Sequence, residues 1–159
     1  VLQNLADMYL AQDKYAEAEP LYKQTLTIYE SAFGPDDPSV VDALNSLGGL
    51  FQDQGKYSEA VPLYEKALKI EEKALGSDHP NVATALNNLA TLQYHLGENM
   101  KAESLYKRAL EIYEKTYGND HPFVATVLVN LVNFYEGTGE RDKADKVAER
   151  VKQIQSKYE

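Results

Sequence analysis

The chain has 159 residues, no cysteine and a formal net charge of −9, from 16 Lys and Arg against 25 Asp and Glu. Without cysteine there is no disulfide framework, thiolate metal site or thiol nucleophile. So acidic a balance argues against a general binder of nucleic acid or anionic membrane, which needs clustered cations to displace counterions. No apolar run approaches the ~18 residues that cross a bilayer and no basic-then-apolar leader opens the chain, so the expectation is a cytoplasmic protein.

Residues 1–12, with Leu5 and Ala6 on an apolar stripe, are expected to form a first helix that begins already inside a pattern, as in a fragment of a longer protein. A second helix is expected over 15–33, with Ala18, Tyr22 and Ile28 inward, ended by Gly34. Over 39–54, Val40, Ala43, Leu44, Leu47, Leu50 and Phe51 recur at three- and four-residue intervals and Gly55 closes the run. Over 57–75 the same spacing runs through Ala60, Leu63, Tyr64, Ala67 and Ile70 to Gly76, which is expected to end the helix in a left-handed conformation. Helices over 81–96, 99–117, 123–137 and 141–158 complete the series.

The pattern is a repeat. A shift of 42 residues superposes roughly 19 of 42 positions between the two central copies, Leu44-Asn45 on Leu86-Asn87 and Gly76-Ser-Asp-His-Pro80 on Gly118-Asn-Asp-His-Pro122 among them. The chain therefore reads as a single array: a truncated repeat over 1–38, then repeats over 39–80, 81–122 and 123–159. Each holds a first, or A, helix and a longer second, or B, helix. In the connectors Gly34-Pro-Asp-Asp-Pro38, Gly76 to Pro80 and Gly118 to Pro122, the Asp or His before proline reads as the cap of the next helix, not as a metal ligand. Ala6, Gly48, Ala90 and Val132 on A helices and Ala18, Ala60, Ala102 and Ala144 on B helices mark close approaches. Tyr22, Tyr64 and Tyr106 are expected to fill the space between repeats.

Leu-Asn-Asn-Leu-Ala in the A helix, Leu-Tyr-x-x-Ala-Leu in the B helix and Gly-x-Asp-His-Pro between them resemble the tetratricopeptide repeat (TPR), in the 42-residue form of kinesin light chains. The resemblance implies an all-α, right-handed superhelical solenoid of four antiparallel helix pairs, with A helices lining a concave groove. It implies a module that binds a peptide segment of a partner protein. In the kinesin-light-chain-like family the asparagine matching Asn45 and Asn87 contacts the main chain of a bound peptide, and the resemblance gives these two that role, with Gln3 a third. A carboxamide suits it, offering a donor and an acceptor at once.

Spacing from Leu5, Leu47, Leu89 and Leu131 sets a groove face through Gln3, Asp7, Asp42, Asn45, Gln52, Thr84, Asn87, Thr91, Tyr94 and Asn133. Asn4, Asn88 and Asn130 lie one position further round, able to contribute or to bond neighbouring A helices in a ladder that sets the pitch. In the third repeat Gln93 stands where Tyr9, Phe51 and Tyr135 are aromatic. The ring has moved to Tyr94, a turn of about 100° that points it to the groove as an anchor for a ligand side chain, or else into a repacked seam. All 16 Lys and Arg lie on B helices or in turns, so the groove is expected to be neutral to acidic and its peptide neutral or basic. That departs from the light chains, which use basic residues for acidic cargo, and excludes the lysine and arginine clamp for a C-terminal carboxylate. No catalytic motif, metal set or cofactor loop occurs, and no enzyme activity is expected. The alternative is an assembly scaffold that stacks with further repeats or self-associates.

Overall fold

A computed structural model describes residues 2–158, all-α throughout. Val1 and Glu159, the outermost residues of the expected array, lie outside the described residues. Two compact units, Val1–Ser77 and Asp78–Glu159, each contain two helix pairs. The first holds α1 (Leu2–Leu10), α2 (Tyr15–Phe33), α3 (Val41–Asp53) and α4 (Tyr57–Leu75), with a 3-10 turn over Pro38–Val40 leading into α3. The second holds α5 (Pro80–His95), α6 (Asn99–Tyr117), α7 (Pro122–Gly137) and α8 (Arg141–Gln155). The expected helices over 15–33, 57–75 and 99–117 match α2, α4 and α6 end to end, whereas α1 and α8 stop short of residues 12 and 158.

The B helices α2, α4 and α6 each end at a connector glycine, whose N–H bonds the carbonyl of Glu30, Glu72 or Glu114 four residues back. These glycines have φ of 98°, 90° and 87° but ψ of 156°, 152° and 163°. The chain thus leaves the helix through the extended region at positive φ, open essentially to glycine alone, and not through the left-handed helical well expected from sequence. The cap follows at once. Asp37 Oδ1 accepts from the Ser39 amide at 2.9 Å, and His79 and His121 accept through Nδ1 from Asn81 and Phe123 at 3.2 Å. An accepting Nδ1 carries no proton, so both imidazoles cap in their Nε2-protonated form.

Of the small residues expected at close approaches, Ala6, Ala18, Ala60, Ala90 and Ala102 are fully buried and Gly48 and Ala144 are buried, while Val132 is half-buried. The three tyrosines are buried too; each hydroxyl stays within its own helix pair, while the Tyr106 ring also meets Phe134 of the next repeat, 6.0 Å between centres. Tyr22 donates to Asp7 Oδ1 at 2.5 Å, Tyr64 to Gln52 Oε1 at 3.4 Å, and Tyr106 pairs with Thr91 Oγ1 at 2.9 Å. A phenol on the B helix reaches the polar side of the A helix it packs on, which keeps the ring in the core and its hydroxyl satisfied. Pairs are joined within a unit by ions as well: Lys66 to Glu30 at 2.7 Å in the first, Arg150 to Glu114 and Lys157 to Asp120 at 2.5 Å in the second.

Candidate functional site: the open face of the A helices

On α5 the exposed positions are Asn81, Thr84, Asn88 and His95, with Thr91 half-buried, a stripe at alternating three- and four-residue steps. On α7 the exposed positions include Thr126, Val129, Asn133 and Glu136, which by the 42-residue shift match positions 84, 87, 91 and 94. On α5 Asn88 is exposed and Asn87 is buried, whereas on α7 Val129, in the register of Asn87, is exposed and Asn130, in the register of Asn88, is half-buried. Asn87 is 9% exposed, and its Oδ1 accepts from Asn130 Nδ2 at 3.0 Å across the seam to α7. The first unit has the same rung, with Gln3 Nε2 donating to Ser46 Oγ at 3.0 Å. Both rungs join residues 43 apart, the geometry of the pitch-setting ladder. The Asn45 Oδ1 atom is buried with no hydrogen-bond partner among the described residues.

The hydroxyls of this face are already engaged. Thr84 Oγ1 lies 2.6 Å from the Tyr113 hydroxyl and 3.3 Å from the Pro80 carbonyl, and Thr91 donates to the Asn87 carbonyl at 3.2 Å while pairing with Tyr106. Thr126 donates to the Pro122 carbonyl at 3.2 Å. Asn88 and Asn133 stand exposed, and the Asn130 amide uses only its nitrogen in the rung. The carboxamides of Asn88 and Asn133, with the carboxylate of Glu136, are thus open to a ligand in the second unit.

In the first unit the face is acidic. Asp7 and Asp42 are exposed and Gln52 is half-buried. Burial, then the bond from its hydroxyl to Asp7 and the charge there, push the Tyr22 phenol above its ordinary range. Burial, helped by the charge of Asp42, raises the Glu71 carboxyl, whose Oε2 finds no hydrogen-bond partner among the described residues.

Tyr94 points across to α7. Its ring meets Phe134 edge-on at 5.4 Å and lies over Gly137, where an added Cβ would come within 2.8 Å of the Tyr94 Cζ and overlap the hydroxyl. The displaced ring is taken up by the seam, while the Gln93 that replaced it is buried. The pairing of Tyr94 with Gly137 was the signal that sequence reasoning left unused: residue 137 is glycine where the earlier repeats have Ala11, Asp53 and His95 in the same register.

Among the described residues no group of three or more His, Asp or Glu is placed to hold a metal ion, and no helix is long and apolar enough to cross a membrane.

A tetratricopeptide repeat profile matches residues 1–73, 39–99 and 83–157. The chain belongs to the tetratricopeptide repeat family, whose repeats mediate protein–protein interaction, and its repeats are of the kinesin-light-chain-like kind. Among solved structures it is similar to BtubC (BKLC) from P. vanneervenii, with 29% identity and a TM-score of 0.86 over 98% of this chain and 61% of that one. It is similar also to the nearly identical TPR-like repeats of a putative kinesin light chain from P. anserina, with 28% identity and a TM-score of 0.87 over 99% of this chain and 75% of that one. The apo form of RapI shares the fold at 19% identity and a TM-score of 0.82, over 99% of this chain and 55% of that one. No curated protein matches the chain.

Proposed function

We propose that this chain is a peptide-binding module that holds an extended segment of a partner protein, neutral or basic in character, on the open faces of its A helices, without chemistry of its own. The observation that carries this reading is the separation of charge: α1, α3, α5 and α7 contain no Lys or Arg, while their open faces present Asp7, Asp42, Asn88, Asn130, Asn133 and Glu136. Exposed carboxamides pair with the amide and carbonyl of an extended chain whatever its side chains. Carboxylates nearby favour Lys or Arg on the ligand and disfavour Asp or Glu.

Within this reading the candidates divide by what already binds them. Asn88 and Asn133 contact the ligand main chain, and Asp42 and Asp7 contribute charge. Gln3, Asn87, Gln52, Thr84 and Thr91 hold helices or tyrosines in place and shape the face. Asn45 shares their register and has an acceptor to spare, and Tyr94 borders the face from the α5 and α7 seam. Titration of labelled peptide libraries against the wild type and an Asn88→Ala, Asn133→Ala variant tests this. Expected is a loss of about tenfold or more in affinity with unchanged stability, since each main-chain pair contributes roughly 0.5–1.5 kcal/mol. Binding indifferent to the double substitution would reject the assignment.

A further inference from the structure

In the interior of α3 stand two successive glycines, and only one of them has a steric reason to be there. A Cβ at Gly48 would lie 2.8 Å from Cε2 of Tyr64, so that ring packs directly on the α3 backbone. A Cβ at Gly49 would meet the Tyr64 hydroxyl alone, at 3.6 Å, an ordinary contact that leaves room for a methyl group. Nor does Gly49 take a positive φ. Glycine inside a helix destabilises it relative to alanine, and at Gly49 neither packing nor backbone asks for it.

The open face of α3 runs through this position, Asp42, Asn45, Gly49 and Gln52 following one another at three- and four-residue steps. In the register of Gly49 the other repeats carry Asp7, Thr91 and Asn133. Asp7 and Thr91 each close over the tyrosine of the B helix behind them, bonding the hydroxyls of Tyr22 and Tyr106 at 2.5 and 2.9 Å. Gly49 has no side chain to do so. The Tyr64 hydroxyl turns instead to Gln52 Oε1 at 3.4 Å, too long for a good hydrogen bond. Burial, then the charge of Asp53, pushes the Tyr64 phenol above its ordinary range and keeps it a proton donor. Tyr64 is 8% exposed, so a nearly buried donor with a poorly used proton faces the gap that Gly49 leaves in the half-buried floor of the face.

We infer that Gly49 is a notch at which the main chain of the bound segment comes down onto α3, and that the Tyr64 hydroxyl donates there to a main-chain carbonyl of the ligand. The inference rests on the peptide-binding reading above and adds to it the point of closest approach in the first unit. A ligand backbone can approach glycine more closely than any other residue, and an extended segment offers carbonyls along its edge whatever its side chains. A ligand carboxylate, the other strong acceptor, is disfavoured by Asp53, whose charge already acts on this phenol. The notch therefore sets the register of the segment without choosing a side chain, and the carboxylates of the face choose its charge.

The test is the affinity of the wild type, Gly49→Ala, Tyr64→Phe and the double variant for the tightest binder of a labelled Lys-containing peptide library, with melting curves for all four. Gly49→Ala is expected to raise the melting temperature by about 1–4 °C while weakening binding by about three- to tenfold. A glycine kept for packing would not give those opposite signs. Tyr64→Phe keeps the ring on Gly48 and is expected to weaken binding by a similar factor, with the melting temperature within about 2 °C of wild type. In that background Gly49→Ala is expected to cost little more, since both changes remove one hydrogen bond. Either single variant binding as the wild type does, losses that multiply in the double variant, or a melting temperature lowered by Gly49→Ala would overturn the notch. If Asn88→Ala, Asn133→Ala still weakens the same peptide, the module reading stands without it; a wild type that takes no peptide from the library ends both.

Discussion

The hydroxyl of Tyr94 occupies the volume that a side chain at Gly137 would need, so these two residues on neighbouring A helices are matched in size. Gly137→Ala is expected to cost about 1–3 kcal/mol, because the added methyl must displace a ring held edge-on by Phe134. In a Tyr94→Leu background the same change is expected to be close to neutral, alanine being the better helix former. Urea unfolding of the four proteins in the cycle measures the coupling. Equal costs in both backgrounds would show that the two residues do not compete for space.

Asp13 is the one non-glycine residue at positive φ among the described residues, at 56°, where the later repeats place Gly55, Gly97 and Gly139 at 71°, 77° and 81°. Its carboxylate accepts a 3.2 Å bond from the exposed Tyr15 hydroxyl, a minor compensation. Asp13→Gly is therefore expected to stabilise the first unit by about 0.5–1 kcal/mol, read as a rise in melting temperature. A fall would mean that the Tyr15 bond outweighs the backbone strain.

Periodicity located three of the four B helices, α2, α4 and α6, to the residue, since 3.6-residue spacing and a terminal glycine are local signals. Helix continuity through Pro20 and Pro62 shows tertiary packing overriding a local breaker: Ala18 and Tyr22, and Ala60 and Tyr64, are buried on either side. The open face was harder to place. The stripe 84–88–91–95 differs by one residue from the expected 84–87–91–94 at two of its four positions. Which of Asn87 and Asn88 turns inward depends on the neighbouring helix, whose Asn130 supplies the partner. The tyrosine hydroxyls were illegible for the same reason, their partners being fixed by how two helices pack.

Asn87 and Asn88 are adjacent in sequence and are expected to separate in function. Asn87→Ala leaves the Asn130 amide without its acceptor in a part-buried seam and is expected to cost about 1–3 kcal/mol of stability. Asn88→Ala, on the exposed face, is expected to leave stability within about 0.5 kcal/mol of wild type while weakening peptide binding. Paired melting and titration curves distinguish them, and a binding loss confined to Asn87→Ala would reverse the two roles.

Glu71 gives the chain a predictable pH response. Its folded-state carboxyl is raised by burial and by Asp42, so folding favours the protonated form. That contribution is fully present below the unfolded carboxylate range and is lost as pH rises through the folded value. Glu71→Gln is accordingly expected to stabilise the protein at neutral pH, by up to about 1 kcal/mol, with the gain vanishing in acid. Denaturation at pH 7 and near pH 3.5 checks the sign; a variant equally stabilised at both would point to a cause other than ionisation.

The most direct measurement is the affinity of the wild type for two peptides of one sequence, differing only in Lys or Glu at the same positions, across a salt series. Tighter binding of the Lys peptide is expected, with an advantage that shrinks as ionic strength rises beyond about 0.15 M and the screening length falls below ~8 Å. Tighter binding of the Glu peptide, or a Lys preference unmoved by salt, would contradict a face whose selectivity comes from carboxylates and carboxamides with no cation among them.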